Sequence, residues 1–172
     1  MFTGRRNAAC SDWIVNFMQF FYDLFHNPLF ISAGLGWFVA QRTKTILYTV
    51  INREFNAERI FGSGGMPSSH SATVCALVTS TAITYGASGF PLPMAVFFAF
   101  IVMYDAMGVR RETGEQAKVL NEMMDVWKTM GQTFASMDAR EQLKEFVGHS
   151  PLQVLVGAAL GIAIAAIVCM YF

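Results

Sequence analysis

Leu152 to Phe172 is a run of 21 residues with no charged side chain and one strongly polar one, Gln153. Wound as a helix at about 1.5 Å per residue, it matches the ~30 Å apolar core of a bilayer. Composition decides between a membrane span and a buried core helix. The chain has 172 residues, of which 54% are hydrophobic and only 14% charged, where about 25% charged is usual in soluble domains. One domain of this length has too little interior to hide that excess, so a membrane is the natural solvent. The 16 Phe and 11 Met argue against a disordered chain. The 12 basic residues are balanced by 12 acidic ones, which excludes nucleic-acid binding by bulk charge.

Three further stretches are expected to span. Pro28–Ile51 is clean in its first half and carries Gln41, Arg42 and Lys44 in its second. Pro67–Tyr85 is polar at its start and apolar later, and Phe90–Val109 carries Asp105 near its end. Trp13–Phe25 is too short to cross alone and reads as an interfacial lead-in helix. No cleavable signal peptide is evident, because Asn16, Gln19 and Asp23 interrupt the stretch after Arg5 and Arg6. Cys10, Cys75 and Cys169 show neither metal-ligand spacing nor a disulfide framework.

The expected fold is therefore all-α: a polytopic membrane helix bundle of about four transmembrane helices with amphipathic surface helices. It forms a single integral membrane domain over 1–172, with a lead-in over 1–27 and a polar helical insert over 105–150. Within the insert, Thr113-Gly-Glu-Gln116 has the pattern of a capping box. Ala117, Leu120, Met124 and Trp127 then recur at helical spacing, and Phe134–Val147 reads as a second, shorter helix.

Four spans put both termini on one side. Arg5 and Arg6 are the basic residues there; Arg53, Arg59, Arg110, Arg111, Lys118, Lys128, Arg140 and Lys144 fall on the other. The positive-inside rule then assigns the insert to the cytoplasm, or to the matrix or stroma in an organelle.

The same parity gathers His70, Arg110, Arg111 and His149 on one membrane face, with Lys44 on the nearby half of its span. In Gly62-Ser-Gly-Gly-Met-Pro-Ser-Ser-His70, Pro67 suits a first helical position, which leaves the N–H groups of Ser68, Ser69 and His70 unpaired. Such a helix N-terminus attracts anions. Gly148-His-Ser-Pro151 repeats the arrangement, with Ser150 as N-cap and Gln153 completing a capping box. Two histidines at two helix mouths, beside arginines that match phosphate oxygens, point to a phosphate-like substrate. One histidine attacks phosphorus and the other protonates the leaving oxygen. A lysine within an apolar span is a functional candidate by default. Gly157-Ala-Ala-Leu-Gly161 is a helix-packing pattern.

Gly64-Gly-Met-Pro-Ser-Ser-His-Ser71, Asp105-x-x-Gly-Val-Arg-Arg111 with Gly114-Glu-Gln-Ala117 and Leu120-Asn121, and Gly148-His-Ser-Pro151 with Val154 and Gly157 resemble one family. It is the divergent branch of the type 2 phosphatidic acid phosphatase superfamily, also described as acid phosphatase/vanadium-dependent haloperoxidase-related. The resemblance covers roughly residues 28 to 170 and includes Gln41 and Lys44. It implies His70 as general acid, with the Pro67-Ser68-Ser69 backbone binding phosphate, and His149 as the nucleophile that forms a phosphohistidine.

The chain also departs from the superfamily pattern. Ser69 stands for a glycine, Lys44 lacks its Arg-Pro partner motif, and about 38 residues part Arg111 from His149. Gln153 stands where the superfamily has an orienting aspartate.

The resulting expectation is a membrane phosphatase acting on a lipid phosphate monoester or pyrophosphate; the alternative is a non-catalytic protein that binds phospholipid headgroups as scaffold or transporter. His149, His70 and Gln153 are the catalytic candidates. Lys44, Ser68, Ser69, Arg110 and Arg111 are the phosphate-binding ones, with Gly64, Gly65, Pro67 and Asp105 in structural roles. Neither metal nor cofactor is expected. The expected partner is membrane lipid or lipid phosphate and not nucleic acid, and a homo-oligomer stays open.

Overall fold

The computed structural model describes residues 16–53, 65–130, 143 and 148–172. Their regular structure is helical, with no strand among them. Helix α1 is seen over 16–25. It gives way at Asn27, whose side chain accepts the Leu29 N–H at 2.8 Å and caps α2, Pro28–Asn52. Pro28 fits the first turn because its missing N–H would have had no helical partner. Helix α3, Ser69–Tyr85, stops at Gly86. Helix α4, Pro91–Met107, breaks at Gly108 and resumes as α5, Val109–Thr129. Helix α6 is Pro151–Tyr171.

Helix α3 is the centre of the bundle. It packs against α2, α4 and α6, while α2 also meets α6 and α4 scarcely does. Glycines permit the closest approaches. A Cβ added at Gly157 would lie 2.3 Å from the Ser68 carbonyl oxygen, and one at Gly161 would lie 2.2 Å from that of Ala72. The Gly157–Gly161 pair therefore lets α6 settle on the α3 backbone, as the small-residue pattern predicts.

The packing is the inverse of a soluble domain. Among the described residues, the buried apolar ones are Ala and Val alone, and the largest fully buried side chains are Thr81, Ser32, Ser68, Ser71 and Ser80. The large apolar side chains point outward: Phe17, Phe20 and Phe25 on α1, Phe97, Phe100 and Ile101 on α4, and Leu152, Leu155 and Ile167 on α6. Water would penalise such a surface heavily; hydrocarbon does not. The fold is thus an all-helical, membrane-associated bundle.

The expected span count is met in part, and two expected helix starts need correction. Among the described residues, two stretches are long and apolar enough to cross a membrane by themselves: Pro91–Trp127, running through the Gly108 break, and Pro151–Tyr171. Helix α2 has the length but carries Gln41, Arg42 and Lys44, and α3 has only 17 residues, among them Ser69, His70, Ser71, Thr73, Thr79, Ser80 and Thr81.

The helix expected to start at Thr113 begins at Val109 instead. The Thr113 hydroxyl donates back to the Val109 carbonyl at 2.9 Å, so it serves a helix interior and not a cap. Pro67 is likewise not the first residue of α3: Ser68 is the N-cap and the helix opens at Ser69. The second insert helix, Phe134–Val147, lies outside the described residues.

Candidate functional site

Helices α3 and α6 begin at the same end of the bundle and bring two histidines together. The Nδ1 of His70 lies 3.4 Å from the Nε2 of His149, with the rings 5.5 Å apart in an edge-to-face arrangement. The chain separates these residues by 79 positions. His149 is buried at 2% exposure, and His70 is half-buried.

The cap of α6 sets the tautomer of His149. The Ser150 hydroxyl accepts the Gln153 N–H, and the Gln153 side-chain oxygen accepts the Ser150 N–H at 3.1 Å, completing the expected capping box. That same oxygen lies 3.2 Å from Nδ1 of His149. The Ser150 amide can only donate, so the atom facing it is the carbonyl oxygen of the Gln153 amide. Nδ1 of His149 therefore carries the proton and donates it to Oε1. Nε2 is left as a lone pair directed at His70, whose Nδ1–H donates to it.

At the α3 mouth, the Ser68 side chain accepts the Ser71 N–H at 3.3 Å and the Ser71 hydroxyl at 3.1 Å. The Ser68 N–H donates to the Gln153 carbonyl at 3.0 Å. The expectation that the Ser68 N–H stays open is therefore corrected: an N-cap residue lies outside the helix, and its amide is used to join α3 to α6. Ser69 and His70 hold the first-turn positions whose N–H groups have no helical acceptor. Pro67, Ser68 and Ser69 are all buried.

Cations surround the imidazoles. Lys44 is buried at 5% exposure, and Gly65 lies over its aliphatic stem, where an added Cβ would stand 3.0 Å from Cδ. Gly64 lies outside the described residues. The positive charges of Lys44 and Arg110 act on both imidazoles. Burial pushes the His149 imidazole below the usual 6.5; Lys44 and Arg110 push the same way, against the Gln153 hydrogen bond that raises it. His149 is consequently held neutral near pH 7.

Arg110 and Arg111 diverge. Arg110 donates from Nε to Oδ2 of Asp105 at 2.9 Å, and both side chains are nearly half exposed. Arg111 is exposed and enters through its backbone: a Cβ at Gly148, whose φ is +135°, would stand 2.6 Å from the Arg111 Cα. The His149 N–H donates to the Ala106 carbonyl at 3.1 Å. An unbroken helix would give that carbonyl to the amide of residue 110; the break at Gly108 lets His149 take it.

Sequence reasoning thus named His70, His149 and Gln153, which meet here. It missed the Ala106 carbonyl; Asn121, named only within a motif, is buried on α5 and bonds both main-chain groups of Leu143 at 2.9 and 3.0 Å. Nothing in a sequence marks a carbonyl freed by a helix break. Asn121 had a signal as a polar residue on the apolar face of α5.

No solved structure matches the chain. YuiD, an uncharacterized membrane protein of Bacillus subtilis (strain 168), is 33% identical over 156 residues, which cover 87% of this chain and 99% of that relative. The profile of the divergent PAP2 family matches residues 25–164. With that span and that relative, the chain belongs to the divergent PAP2 family.

Proposed function

We propose that the protein is an integral membrane phosphatase that hydrolyses a lipid phosphate monoester or pyrophosphate through a phosphohistidine on His149. The observation that carries this reading is the Nε2 lone pair of His149. It is fixed by the Gln153 contact at 3.2 Å and faces a second imidazole at 3.4 Å. A nucleophile, its orienting acceptor and an acid thereby stand in line, as covalent catalysis requires.

The step balances as follows. Nε2 of His149 attacks phosphorus as the bond to the leaving oxygen breaks. His70, acting as an imidazolium, gives its Nδ1 proton to that oxygen. Water then attacks the phosphorus and returns a proton to His70, and the N–P bond breaks to release phosphate. A phosphorus atom about 3–3.5 Å from Nε2 needs the space now spanned by the His70 contact, so the His70 ring turns aside as substrate enters. Lys44, Arg110 and the first-turn amides of Ser69 and His70 neutralise the phosphoryl oxygens.

The reading includes one membrane domain with four spans, α2, α3, α4 and α6. Helix α3 crosses as the shielded centre of the bundle, so its hydroxyls do not meet lipid. The histidine end faces the cytoplasm or its organellar equivalent, because eight basic residues fall on that side against two. A lipid phosphate suits a site at helix mouths near headgroup level.

The test is phosphate release from phosphatidic acid and from a lipid pyrophosphate by purified protein in detergent, for wild type and His149→Ala. Hydrolysis that survives His149→Ala removes the phosphohistidine. A second reading, headgroup binding without catalysis, is favoured by Gln153, whose amide accepts a hydrogen bond but brings no negative charge to a phosphorylated imidazolium. It gains if neither protein hydrolyses either lipid while both bind them.

A further inference from the structure

Asp105 and Arg110 are five residues apart, a spacing that puts side chains on different faces of a continuous helix. They meet because the helix breaks between them: Gly108 has φ −94° and ψ −90°, ending α4 before α5 starts at Val109. The contact uses one particular edge of the guanidinium, Nε to Oδ2 at 2.9 Å.

Arginine carries five N–H donors in a planar fork, and four of them are on the two Nη atoms. With Nε anchored to Asp105, the Nη end remains for a second acceptor. Gly148 packs on the Arg110–Arg111 backbone and the His149 N–H donates to the Ala106 carbonyl at 3.1 Å, so the helix break that carries Arg110 borders the histidine site, and its charge acts on both imidazoles. A half-exposed ion pair adds little to stability by itself. What it does provide is direction: it removes the freedom of a long side chain before a ligand arrives.

On this basis we infer that Asp105 is a positioning residue, which holds Arg110 by Nε so that its Nη pair grips two oxygens of a tetrahedral phosphoryl group. This rests on the phosphate-site reading above but not on catalysis. Gln153 leaves the nucleophile without a carboxylate, and the carboxylate of this site acts on the anion-binding arginine instead.

A carboxylate beside an anion site makes two opposite predictions. If Asp105 only offsets the charge of Arg110, its removal tightens anion binding, since a repulsive charge is lost. If it positions Arg110, its removal loosens binding. The experiment measures inorganic vanadate affinity of the detergent-purified protein, with hydrolysis of phosphatidic acid assayed separately, for wild type, Asp105→Asn, Asp105→Glu, Arg110→Lys and the double variant Asp105→Asn/Arg110→Lys.

The expected result is about tenfold weaker vanadate binding for Asp105→Asn, corresponding to about 1.4 kcal/mol. Asp105→Glu should partly restore it, and the double variant should bind no worse than Arg110→Lys, because Lys has no Nε edge to hold. If the enzyme is active, KM rises with kcat nearly unchanged. Tighter binding in Asp105→Asn overturns the inference, as does a lower melting temperature with unchanged affinity. Vanadate binding without any hydrolysis sinks the phosphatase reading and leaves this one standing. No vanadate binding by folded wild type sinks both.

Discussion

Oε1 of Gln153 accepts two hydrogen bonds at once, from the Ser150 main chain at 3.1 Å and from Nδ1 of His149 at 3.2 Å. The cap of α6 and the tautomer of His149 are therefore one structure. Replacing Gln153 by Asp keeps both acceptor roles and adds a negative charge beside the imidazole. Lipid-phosphate hydrolysis should rise, by up to about 10²–10⁴ if nothing else now supplies that charge. Gln153→Leu should lower it and also weaken the cap. A Gln153→Asp protein no faster than wild type in phosphate release would show that the amide is not the limiting feature.

Gly148 tests how closely the returning chain must pass α5. A Cβ there collides with the Arg111 backbone, and φ of +135° disfavours any L side chain. Gly148→Ala should displace His149 from the Ala106 carbonyl and abolish hydrolysis while far-ultraviolet circular dichroism stays helical. Full activity in this variant would contradict the described approach.

Gly161 tests the bundle rather than the site. Gly161→Leu must push α6 off α3, because even a Cβ would stand 2.2 Å from the Ala72 carbonyl oxygen. Overpacking of this kind costs about 1–3 kcal/mol or more. A thermal scan in detergent should show a clearly lower midpoint, whereas Ile167→Leu, on an exposed position of the same helix, should leave it unchanged.

The lowered His149 value predicts an acid dependence of stability. The folded chain holds this proton less tightly than the unfolded chain, whose histidine titrates near 6.5. The stabilising contribution of neutral His149 is complete above that pH and fades as pH falls through the lowered folded value. The melting temperature of wild type should therefore drop between pH 6.5 and 5 more than that of His149→Gln. Parallel curves for the two proteins would refute it.

Sidedness can be read by cysteine labelling in intact cells, on a background with Cys10, Cys75 and Cys169 replaced. Lys118→Cys on α5 and Ser88→Cys between α3 and α4 are both at exposed positions. Labelling from outside should reach residue 88 and not 118; the reverse pattern inverts the topology.

The sequence was informative where a physical rule acts locally. Ser150, Pro151 and Gln153 spell out a helix start, and the structure has it. The glycine pair at 157 and 161 announces close packing, and it occurs. The meeting of His70 with His149 followed from counting spans, although α2 and α3 do not qualify as spans on length and composition together. The start of α3 was misread by two residues because Pro67 and Ser68 are both good opening residues, and only the tertiary bond from Ser68 to Gln153 selects between them. Thr113 was misread because a capping pattern also occurs inside a helix. Which arginine meets Asp105 depended on the non-helical backbone at Gly108, which no residue pattern encodes.

The described interior of this bundle is built from small side chains, Ala, Gly, Ser, Thr and Val, with large Phe, Ile and Leu side chains on the outside. Separating the helices in detergent or lipid therefore moves little apolar surface from a dry to a wet environment. Heat-capacity change on unfolding scales with newly hydrated apolar area. Calorimetry in detergent should thus find a broad transition with a heat-capacity step far below the ~12–15 cal/mol/K per residue typical of water-soluble domains, and helices that persist after their contacts are lost.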